Sequence, residues 1–452
     1  MKNPRTFRRL GYLAAIALAF FAGLSADHVA SAGRKSPSAP YKPLDVFSDV
    51  LAHVENSYVE EVDEKELVYG AIDGMMSRLD PHSSFMRPDV YRAMRDETSG
   101  EYDGLGIEVT FQKGELTVVT PLADSPGERA GLRPGDRILA IDGEATREMQ
   151  LTEVVRRFKG PVGSKVVLEV MRDGFAAAQR LTLIRDRVRT QSVESRVVDA
   201  QNHFVYVRVK SFSERTDRGV SRALDEARAQ MKAPIGGLVL DLRNNPGGLL
   251  DQGVRVADLF LTTGVIVSTE GRGRRNVEVE RAREKDTEPN YPMIVLVNKG
   301  TASASEIVAG ALQDHSRAVI MGTPSFGKGS VQTIIELEDG SGLKLTVARY
   351  YTPKHRSIQE LGITPDVVVA ERGPAASGDD TPGERDLKRH LRNDTSAAAL
   401  APSGAGTVVA PPPSGAGAGG ADDYQLKTAL DYLKAVGIFR TTLEPPRGVA
   451  TK

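Results

Sequence analysis

The chain has 452 residues and a formal net charge of −1. That length accommodates several domains, and the balanced charge provides no basic field that could hold a nucleic acid. The sequence contains no cysteine, which excludes thiol catalysis, disulfides, cysteine-based zinc sites and a lipid-modified cysteine. Its seven histidines are scattered without a metal-binding spacing, so no metal and no cofactor are predicted.

Residues 1–32 have the pattern of an export signal. Basic residues precede the apolar run Leu13–Leu24, and the sequence ASA at 30–32 fits the small-x-small cleavage rule. The apolar run is short for a membrane-spanning helix, although an uncleaved anchor is the alternative. We therefore expect a periplasmic or otherwise exported protein, either free or anchored to the inner membrane through its N terminus.

A Pro/Ser-rich stretch then leads into a helical pattern. Apolar residues recur every three or four positions from Leu44 to about Met94, which predicts a small helical domain over residues 44–97. The dipeptide Asp80-Pro81 ends its second helix. His82 follows that dipeptide and is interpreted as a turn or packing residue rather than a catalyst.

Residues 98–188 have the alternating apolar pattern and the Gly/Pro/Asp turns of an all-β module. Its predicted strands are Ile107–Phe111, Leu116–Val119, Arg137–Ile141, Val166–Met171 and Gln179–Ile184. Two short helices are predicted at Ser125–Gly131 and Thr152–Phe158.

Three segments of this module resemble the successive signatures of a PDZ domain. They are GLGIEV (104–109), SPGERAGLRPGDRILAIDGE (125–144) and FKGPVGSKVVLEVMR (158–172). The resemblance implies a glycine-rich loop whose N–H groups bind the terminal carboxylate of a peptide, which then adds a strand to the sheet. A β-barrel without a ligand is the alternative. The residues that match the loop are Gly104, Leu105, Gly106 and Ile107.

Residues 189–370 alternate between apolar strands and amphipathic helices, a pattern typical of a mainly parallel α/β sheet. The predicted strands include Val205–Val209, Gly237–Asp241 and Met293–Val297, and the predicted helices are Arg215–Met231, Leu250–Leu261 and Ala304–Asp314. Functional loops of such sheets lie beyond the carboxyl ends of the strands. Two glycine-bearing loops, LRNNPGG at 242–248 and NKGTAS at 298–303, occupy such positions.

The remaining chain is predicted to be a disordered linker followed by one helix. Residues 371–422 are rich in Gly, Ala, Pro and Ser, and residues 423–440 contain the helical pattern Tyr424–Ile438. The predicted fold is therefore multidomain, α+β and α/β: an N-terminal helical region, an inserted PDZ β-barrel-like domain, an α/β-sheet core, the linker and a C-terminal helix.

Lys328 lies in GTPSFGKG (322–329), which nearly matches a phosphate-binding loop. The match fails because residue 329 is Gly, without the hydroxyl that binds Mg²⁺, and because a β-rich segment follows where a helix is needed. The competing interpretation is a general base for a serine. For that role the pKa of lysine must fall from about 10.4 to near 7, at a cost of about 4 kcal/mol, which burial can supply. Gln332 could orient a neutral lysine without restoring its charge.

Three serines compete as the nucleophile. Ser303 lies at the junction of a loop with a helix, where the helix N terminus helps to stabilise an oxyanion. Ser305 lies one step further into the helix, and Ser330 is a distant third. The spacing of Ser303 and Glu306 also fits a capping box, a purely structural interpretation. A histidine triad is disfavoured because His315 lies about 18 Å along the same helix, and His355 could approach only through a loop.

The segment TASASEIVAGALQDHSRAVIMGTPSFGKGSVQ resembles the catalytic segment of the carboxy-terminal processing peptidases, or tail-specific proteases. The resemblance implies an exported serine peptidase in which Ser303 and Lys328 form a dyad that Gln332 supports. GLVLDLRNNPGG resembles the other characteristic segment of the family, which supplies an oxyanion N–H. That donor is Gly247 or Gly248, a choice left open here, and Ala304 would supply the second. Thr301 stands where many members have Ser.

The resulting hypothesis is an exported serine endopeptidase that binds C-terminal tails of protein substrates through its PDZ domain. The alternative is a catalytically inactive PDZ scaffold. The resemblance also implies oligomer contacts through the N-terminal region and the C-terminal helix, and a PDZ domain that gates the site. Lys159 stands where many members have Arg in an RGxxG motif, which puts a regulatory role for that position in doubt. The need for an adaptor or activator protein stays open.

Overall fold

The computed structural model describes residues 42–371, 382–394, 407–409 and 423–443. The predicted export signal lies outside these residues. None of the helices within these ranges combines the length and the apolar character needed to cross a membrane.

The chain divides into two units, residues 1–74 and residues 75–452. The described part of the first unit consists of helix α1 (Lys42–Ser57) and most of helix α2 (Glu64–Met76). All the side chains of α1 are exposed or half-buried, including the apolar Leu44 and Val46. The predicted helical periodicity is confirmed here.

After the end of α2, the second unit continues with a turn at Asp80-Pro81, strand β1 (Ser84–Met86) and helix α3 (Pro88–Ser99). The strand differs from the continuous helical pattern expected up to Met94. It forms because its backbone pairs with a strand about 260 residues away, with Ser84 opposite Lys344. A tertiary contact of this kind overrides local propensity.

The next module is the predicted β domain. Its strands are β2 (Glu101–Gly104), β3 (Ile107–Gln112), β4 (Glu115–Pro121), β5 (Arg137–Ile141), β6 (Glu144–Ala145), β7 (Lys165–Met171), β8 (Gln179–Ile184) and β9 (Asp186–Arg189). The main sheet has the order β3-β4-β5-β7-β8, and β6 pairs with β5. Two helices, α4 (Pro126–Arg129) and α5 (Leu151–Phe158), complete the module. All five predicted strands are present.

The core contains a seven-stranded sheet in the order β10-β11-β12-β15-β16-β19-β20. These strands are β10 (Val193–Asp199), β11 (Phe204–Val209), β12 (Gly237–Asp241), β15 (Met293–Val297), β16 (Val319–Gly322), β19 (Val367–Val369) and β20 (Thr407–Val409). All neighbours pair in parallel except β10 and β11. The central strands β12 and β15 are buried along their whole length, as expected where helices cover both faces.

Helices cover the two faces of this sheet unequally. Three pack on one face: α6 (Thr216–Met231), α7 (Leu250–Asp258) and α8 (Ala304–Asp314). Helix α9 (Tyr424–Leu443) packs on the other, where its Leu426, Ala429 and Leu433 contact Val239 and Leu296. The predicted C-terminal helix is confirmed, and it completes the second layer of the core.

A second, antiparallel sheet lies beside the first. It contains β1, β13 (Val265–Gly271), β14 (Glu278–Arg281), β17 (Ser330–Glu336) and β18 (Gly342–Tyr351). The order is β1-β18-β13-β14, and β17 pairs with β18. The hairpin β17–β18 directly follows the loop that carries Lys328.

The predicted linker at 371–422 is wrong where the structure describes that segment. Residues 382–394 pack against the core: the carboxylate of Glu384 is fully buried and accepts from His82 Nε2 at 2.7 Å and from Gln359 Nε2 at 2.8 Å. Strand β20, at 407–409, extends the main sheet. The Gly-, Ala-, Pro- and Ser-rich composition of residues 371–422 does not predict this packing, because the packing depends on contacts with residues that are distant in sequence.

Candidate active site

Ser303 lies in a strained turn between β15 and α8. Its backbone has φ 56° and ψ −119°, which non-glycine residues rarely adopt. Two hydrogen bonds keep it there. Its N–H donates to the Glu306 carboxylate at 2.8 Å, and the Glu306 N–H donates to its carbonyl at 2.8 Å. Of the predicted capping box, the hydrogen bond from the Ser303 N–H to the Glu306 carboxylate is therefore present.

The PGG loop packs directly against this turn. A Cβ added to Gly247 would lie 2.7 Å from Ser303 Cβ and 3.0 Å from the nitrogen of Ala304, so only glycine fits. The N–H of Gly247 is already used, because it donates to Asn245 Oδ1 at 2.9 Å.

Gly248 is arranged differently. Phe212 donates its N–H to the Gly247 carbonyl at 2.8 Å and accepts from Leu249 N–H at 2.7 Å. In a parallel bridge of this kind, the N–H of the intervening residue points away from the bridging strand. Within the described residues, Gly248 N–H therefore has no partner, so Gly248 is better placed than Gly247 for the oxyanion role that the sequence predicts.

The N–H of Ala304 is a second donor without a partner in the described part of the chain. It is the first residue of α8, and a helix leaves its first N–H groups without partners inside the helix. The nitrogen of Ala304 lies beside the PGG loop. The two candidate donors therefore border the same turn.

A cavity of about 320 Å³ joins these parts. Its wall is formed by helix α3, residues 211–213, the PGG loop with the start of α7, the Ser303 turn and the β17–β18 hairpin. The side chains or glycines with chemical relevance in this wall are Gly247, Gly248, Ser303, Lys328, Gln332, Lys344 and Tyr350.

The backbone of Lys328 is held at both ends, and its amine is free. Its N–H donates to Glu306 Oε2 at 3.0 Å, and its carbonyl accepts from the Tyr350 hydroxyl. Within the described residues, the ammonium nitrogen makes no hydrogen bond and no ion pair. A partly buried lysine without a carboxylate partner is the arrangement that favours the neutral amine.

Burial and a neighbouring positive charge also favour the neutral form of the Lys328 amine. Burial lowers the pKa of Lys328 to about 8, and the positive charge of Lys344 contributes further. The negative charges of Glu384, Glu306 and Asp80 oppose the shift without cancelling it. A lysine with a pKa near 8 is neutral in a substantial fraction of molecules at mildly alkaline pH.

Gln332 lines the same cavity and is oriented by two hydroxyls. Its Nε2 donates to Ser330 Oγ at 3.0 Å and to Thr346 Oγ1 at 3.2 Å. In the part of the chain that the structure describes, no hydrogen bond joins Gln332 to Lys328. The Oε1 atom of Gln332 is free to accept one.

Glu306 is the main residue of the site that sequence reasoning undervalued. It is fully buried and accepts four hydrogen bonds: from the N–H groups of Ser303, Gly327 and Lys328 and from Ser325 Oγ, at 2.6–3.0 Å. Burial raises the pKa of Glu306 to about 7, although these bonds oppose the rise. The spacing of Ser303 and Glu306 signalled only a helix cap, whereas this carboxylate joins the serine turn to the lysine loop.

The competing candidates have other contacts. Ser305 is fully buried, and its hydroxyl donates to the Asn245 carbonyl at 3.0 Å. Ser330 accepts from Gln332. His315 contacts the Val265 carbonyl at 2.7 Å, and His355 stacks on Tyr351. Neither histidine belongs to the cavity wall.

The glycine-rich loop of the β module connects β2 to β3. Gly104, Leu105, Gly106 and Ile107 are all buried, and the carbonyls of Leu105 and Gly106 accept from Gly127 N–H and Leu122 N–H, both at 2.8 Å. Strand β3 is an edge strand, and α5 packs beside it. An open strand edge beside a helix is the geometry that accepts an added peptide strand.

Comparison with known proteins identifies the modules. The model of peptidase family S41 matches residues 203–369, a PDZ-domain model matches 117–172, and the N-terminal domain model of the activating protease CtpB matches 19–90. A carboxy-terminal-processing protease of Bartonella bacilliformis is 42% identical, over 87% of this chain and 89% of the relative. The chain belongs to the carboxy-terminal processing protease family.

Two further family members agree. A carboxyl-terminal-processing protease of Synechocystis is 40% identical over 68% of this chain and 72% of its own, and CtpA of Bacillus subtilis is 36% identical over 74% and 71%. As a member of this family, the chain is a serine-type peptidase with a PDZ domain that acts on C-terminal regions. Membership favours the enzyme over the inactive scaffold, and the predicted multidomain fold is confirmed.

Proposed function

We propose that the chain is an endopeptidase in which Ser303 is the nucleophile and Lys328 is the general base. Ser303 Oγ attacks the scissile carbonyl while the neutral amine of Lys328 takes its proton. The resulting ammonium then protonates the leaving nitrogen as the scissile C–N bond breaks, which restores the neutral amine, and water hydrolyses the acyl-enzyme by the same route. Gln332 supports the amine through its carbonyl oxygen.

The observation that carries this proposal is the shared cavity. Ser303 and Lys328 both line it, the serine at the N terminus of a helix and the lysine without an ion-pair partner within the described residues. A pKa near 8 lets Lys328 exchange a proton at little cost, since general bases work best near the ambient pH.

The oxyanion would be bound by the N–H groups of Gly248 and Ala304. Both belong to backbone that is fixed by its neighbours, and a preorganised donor needs no rearrangement as charge develops. The N terminus of α8 adds its dipole to the same point.

We further propose that the PDZ domain captures the substrate tail. The carboxylate would be bound at residues 104–107, and the preceding residues would extend the sheet along β3 beside the exposed apolar side chains Leu151 and Val155 of α5. An unstructured tail can then feed towards Ser303. The pattern of residues 1–32 supports export.

Degradation of an unfolded protein such as casein tests the dyad. We expect activity from the full chain, none from Ser303→Ala or Lys328→Ala, and measurable activity from Ser305→Ala, the matched serine of the same turn. Wild-type rates in Ser303→Ala would overturn the assignment of the nucleophile. Equal rates for free-acid and C-terminally amidated tail peptides would overturn tail capture.

A further inference from the structure

A β-bulge next to the lysine loop places a threonine opposite Gln332. In the β17–β18 hairpin, Val331 pairs with Ala348 but Gln332 pairs with Thr346, so Val347 is the extra residue. Bulges of this kind re-aim side chains next to active sites. Without the bulge, regular antiparallel register would place Val347, which has no hydroxyl, opposite Gln332.

Thr346 is in turn held by an aspartate from the turn before β1. Its Oγ1 donates to Asp80 Oδ1 at 2.9 Å. Asp80 also accepts from His82 N–H at 3.0 Å and from Ser83 Oγ at 2.7 Å. Ser83 Oγ accepts from the N–H of Thr346 at 3.0 Å, which closes the connection between the turn and the strand.

The ionised state of Asp80 determines which groups donate and which accept in this series of hydrogen bonds. Hydrogen bonds from Ser83, Thr346 and His82 outweigh burial and hold the pKa of Asp80 below its ordinary value, so Asp80 is an ionised, acceptor-only group. The single hydroxyl proton of Thr346 must therefore point to Asp80. Its oxygen can then only accept from Gln332, which requires the NH₂ group of Gln332 on that side.

This assignment leaves one orientation for the amide. With its NH₂ group on Ser330 and Thr346, Gln332 presents only its carbonyl oxygen to other partners. A reversed amide would point an acceptor at the oxygen of Thr346, which has no proton left to donate. The oxygen of Gln332 is the atom that a lysine N–H requires.

We infer that Thr346 and Asp80 are positioning residues that hold the carbonyl oxygen of Gln332 towards the amine of Lys328. The inference rests on the proposed function, because it gives a purpose to the orientation of Gln332 only if Lys328 is the base. Asp80, in the turn after the N-terminal helices, would then affect the reaction indirectly, because neither Asp80 nor Thr346 belongs to the cavity wall.

The test uses the full chain with labelled casein, and compares Thr346→Val with Thr346→Ser, Gln332→Ala and the double variant Thr346→Val/Gln332→Ala. We expect Thr346→Val to lower kcat about tenfold or more with KM little changed, in line with the usual effect of misplacing a catalytic group. Thr346→Ser keeps the hydroxyl and should stay within about threefold of the wild type. The double variant should be no slower than Gln332→Ala.

Thr333→Val is the matched control, because Thr333 is exposed on the same hairpin. It should keep wild-type kcat and thermal midpoint. Three results would overturn the inference: wild-type kcat in Thr346→Val, equal losses in Thr346→Ser and Thr346→Val, or losses that multiply in the double variant. A Ser303→Ala protein that still cleaves casein would instead overturn the proposed function, so the two failures are distinguishable.

Discussion

Two glycine loops of this molecule, which we propose bind an oxyanion and a peptide carboxylate, differ in the contacts that hold them. The PGG loop packs between Phe212 and the Ser303 turn, where any added methyl group would clash with backbone atoms. The 104–107 loop rests on Ser125 and the short helix α4, within its own module. The first is held against the Ser303 turn, and the second is held by residues of the β module itself. Damage to the PGG loop should therefore appear in kcat, and damage to the PDZ loop in KM.

The largest effect is expected from Gly248→Ala. Its φ is +135°, and the new Cβ would lie 2.2 Å from the Phe212 carbonyl oxygen, so the loop must move and its N–H must leave its position. Loss of one oxyanion donor usually lowers kcat about 100- to 1,000-fold. Steady-state kinetics on casein measure this, with Gly273→Ala as control, since Gly273 has a positive φ but open space. A loss below tenfold in a folded variant would contradict the assignment.

The next effect concerns the carboxylate between the two halves of the site. In Glu306→Gln, whichever oxygen becomes NH₂ will face two donors, because each oxygen of Glu306 accepts two hydrogen bonds. We expect a loss of about 2–4 kcal/mol in the free energy of unfolding and a fall in kcat of at least tenfold. Denaturant unfolding and casein assays measure both, with exposed Glu338→Gln as the control. Unchanged stability would show that Glu306 does not join the loops.

Binding of the substrate tail by the PDZ loop at residues 104–107 is tested by Gly106→Ala. The new Cβ would lie 2.3 Å from Ser125 Cβ and would distort the loop at residues 104–107, which is proposed to bind the terminal carboxylate of the substrate. We expect KM for a free-acid tail peptide to rise about tenfold, with kcat unchanged. Gly114→Ala, in an open turn of the same module, should leave both constants unchanged. A fall in kcat without a change in KM would contradict the proposal that residues 104–107 bind the substrate tail and take no part in the chemical step.

The smallest effect concerns pH. If the neutral amine of Lys328 is the base, as proposed, kcat should rise with pH and reach half its maximum near the pKa of Lys328, about 8. Lys344→Met removes a positive charge that lowers this pKa, so the curve should move to higher pH, by less than about one pH unit. Lys354→Met, an exposed lysine outside the cavity wall, is the control. A shift to lower pH would contradict the assignment of Lys328 as the base.

Local patterns predicted much of this molecule because much of it is locally determined. The strands β12 and β15 are continuous apolar runs, and the loops after them occupy the positions that α/β sheets use for function. Three features could not be predicted. Thr346 binds Asp80 across 266 positions of sequence, Glu384 is buried in a segment whose composition resembles a linker, and β1 interrupts a helical pattern. Each depends on a partner that no local window contains.

The C-terminal helix has a practical consequence for how small this enzyme can be made. The sequence suggests that the peptidase core ends at residue 370, but Leu426 and Leu433 of α9 cover the face of the sheet that contains Val239 and Leu296. Each buried leucine is worth about 1.5–3 kcal/mol. A polypeptide cut at residue 370 would present that bare apolar face to water and would tend to aggregate. The minimal folding unit therefore includes a helix that begins more than 50 residues beyond the last strand of the S41 match.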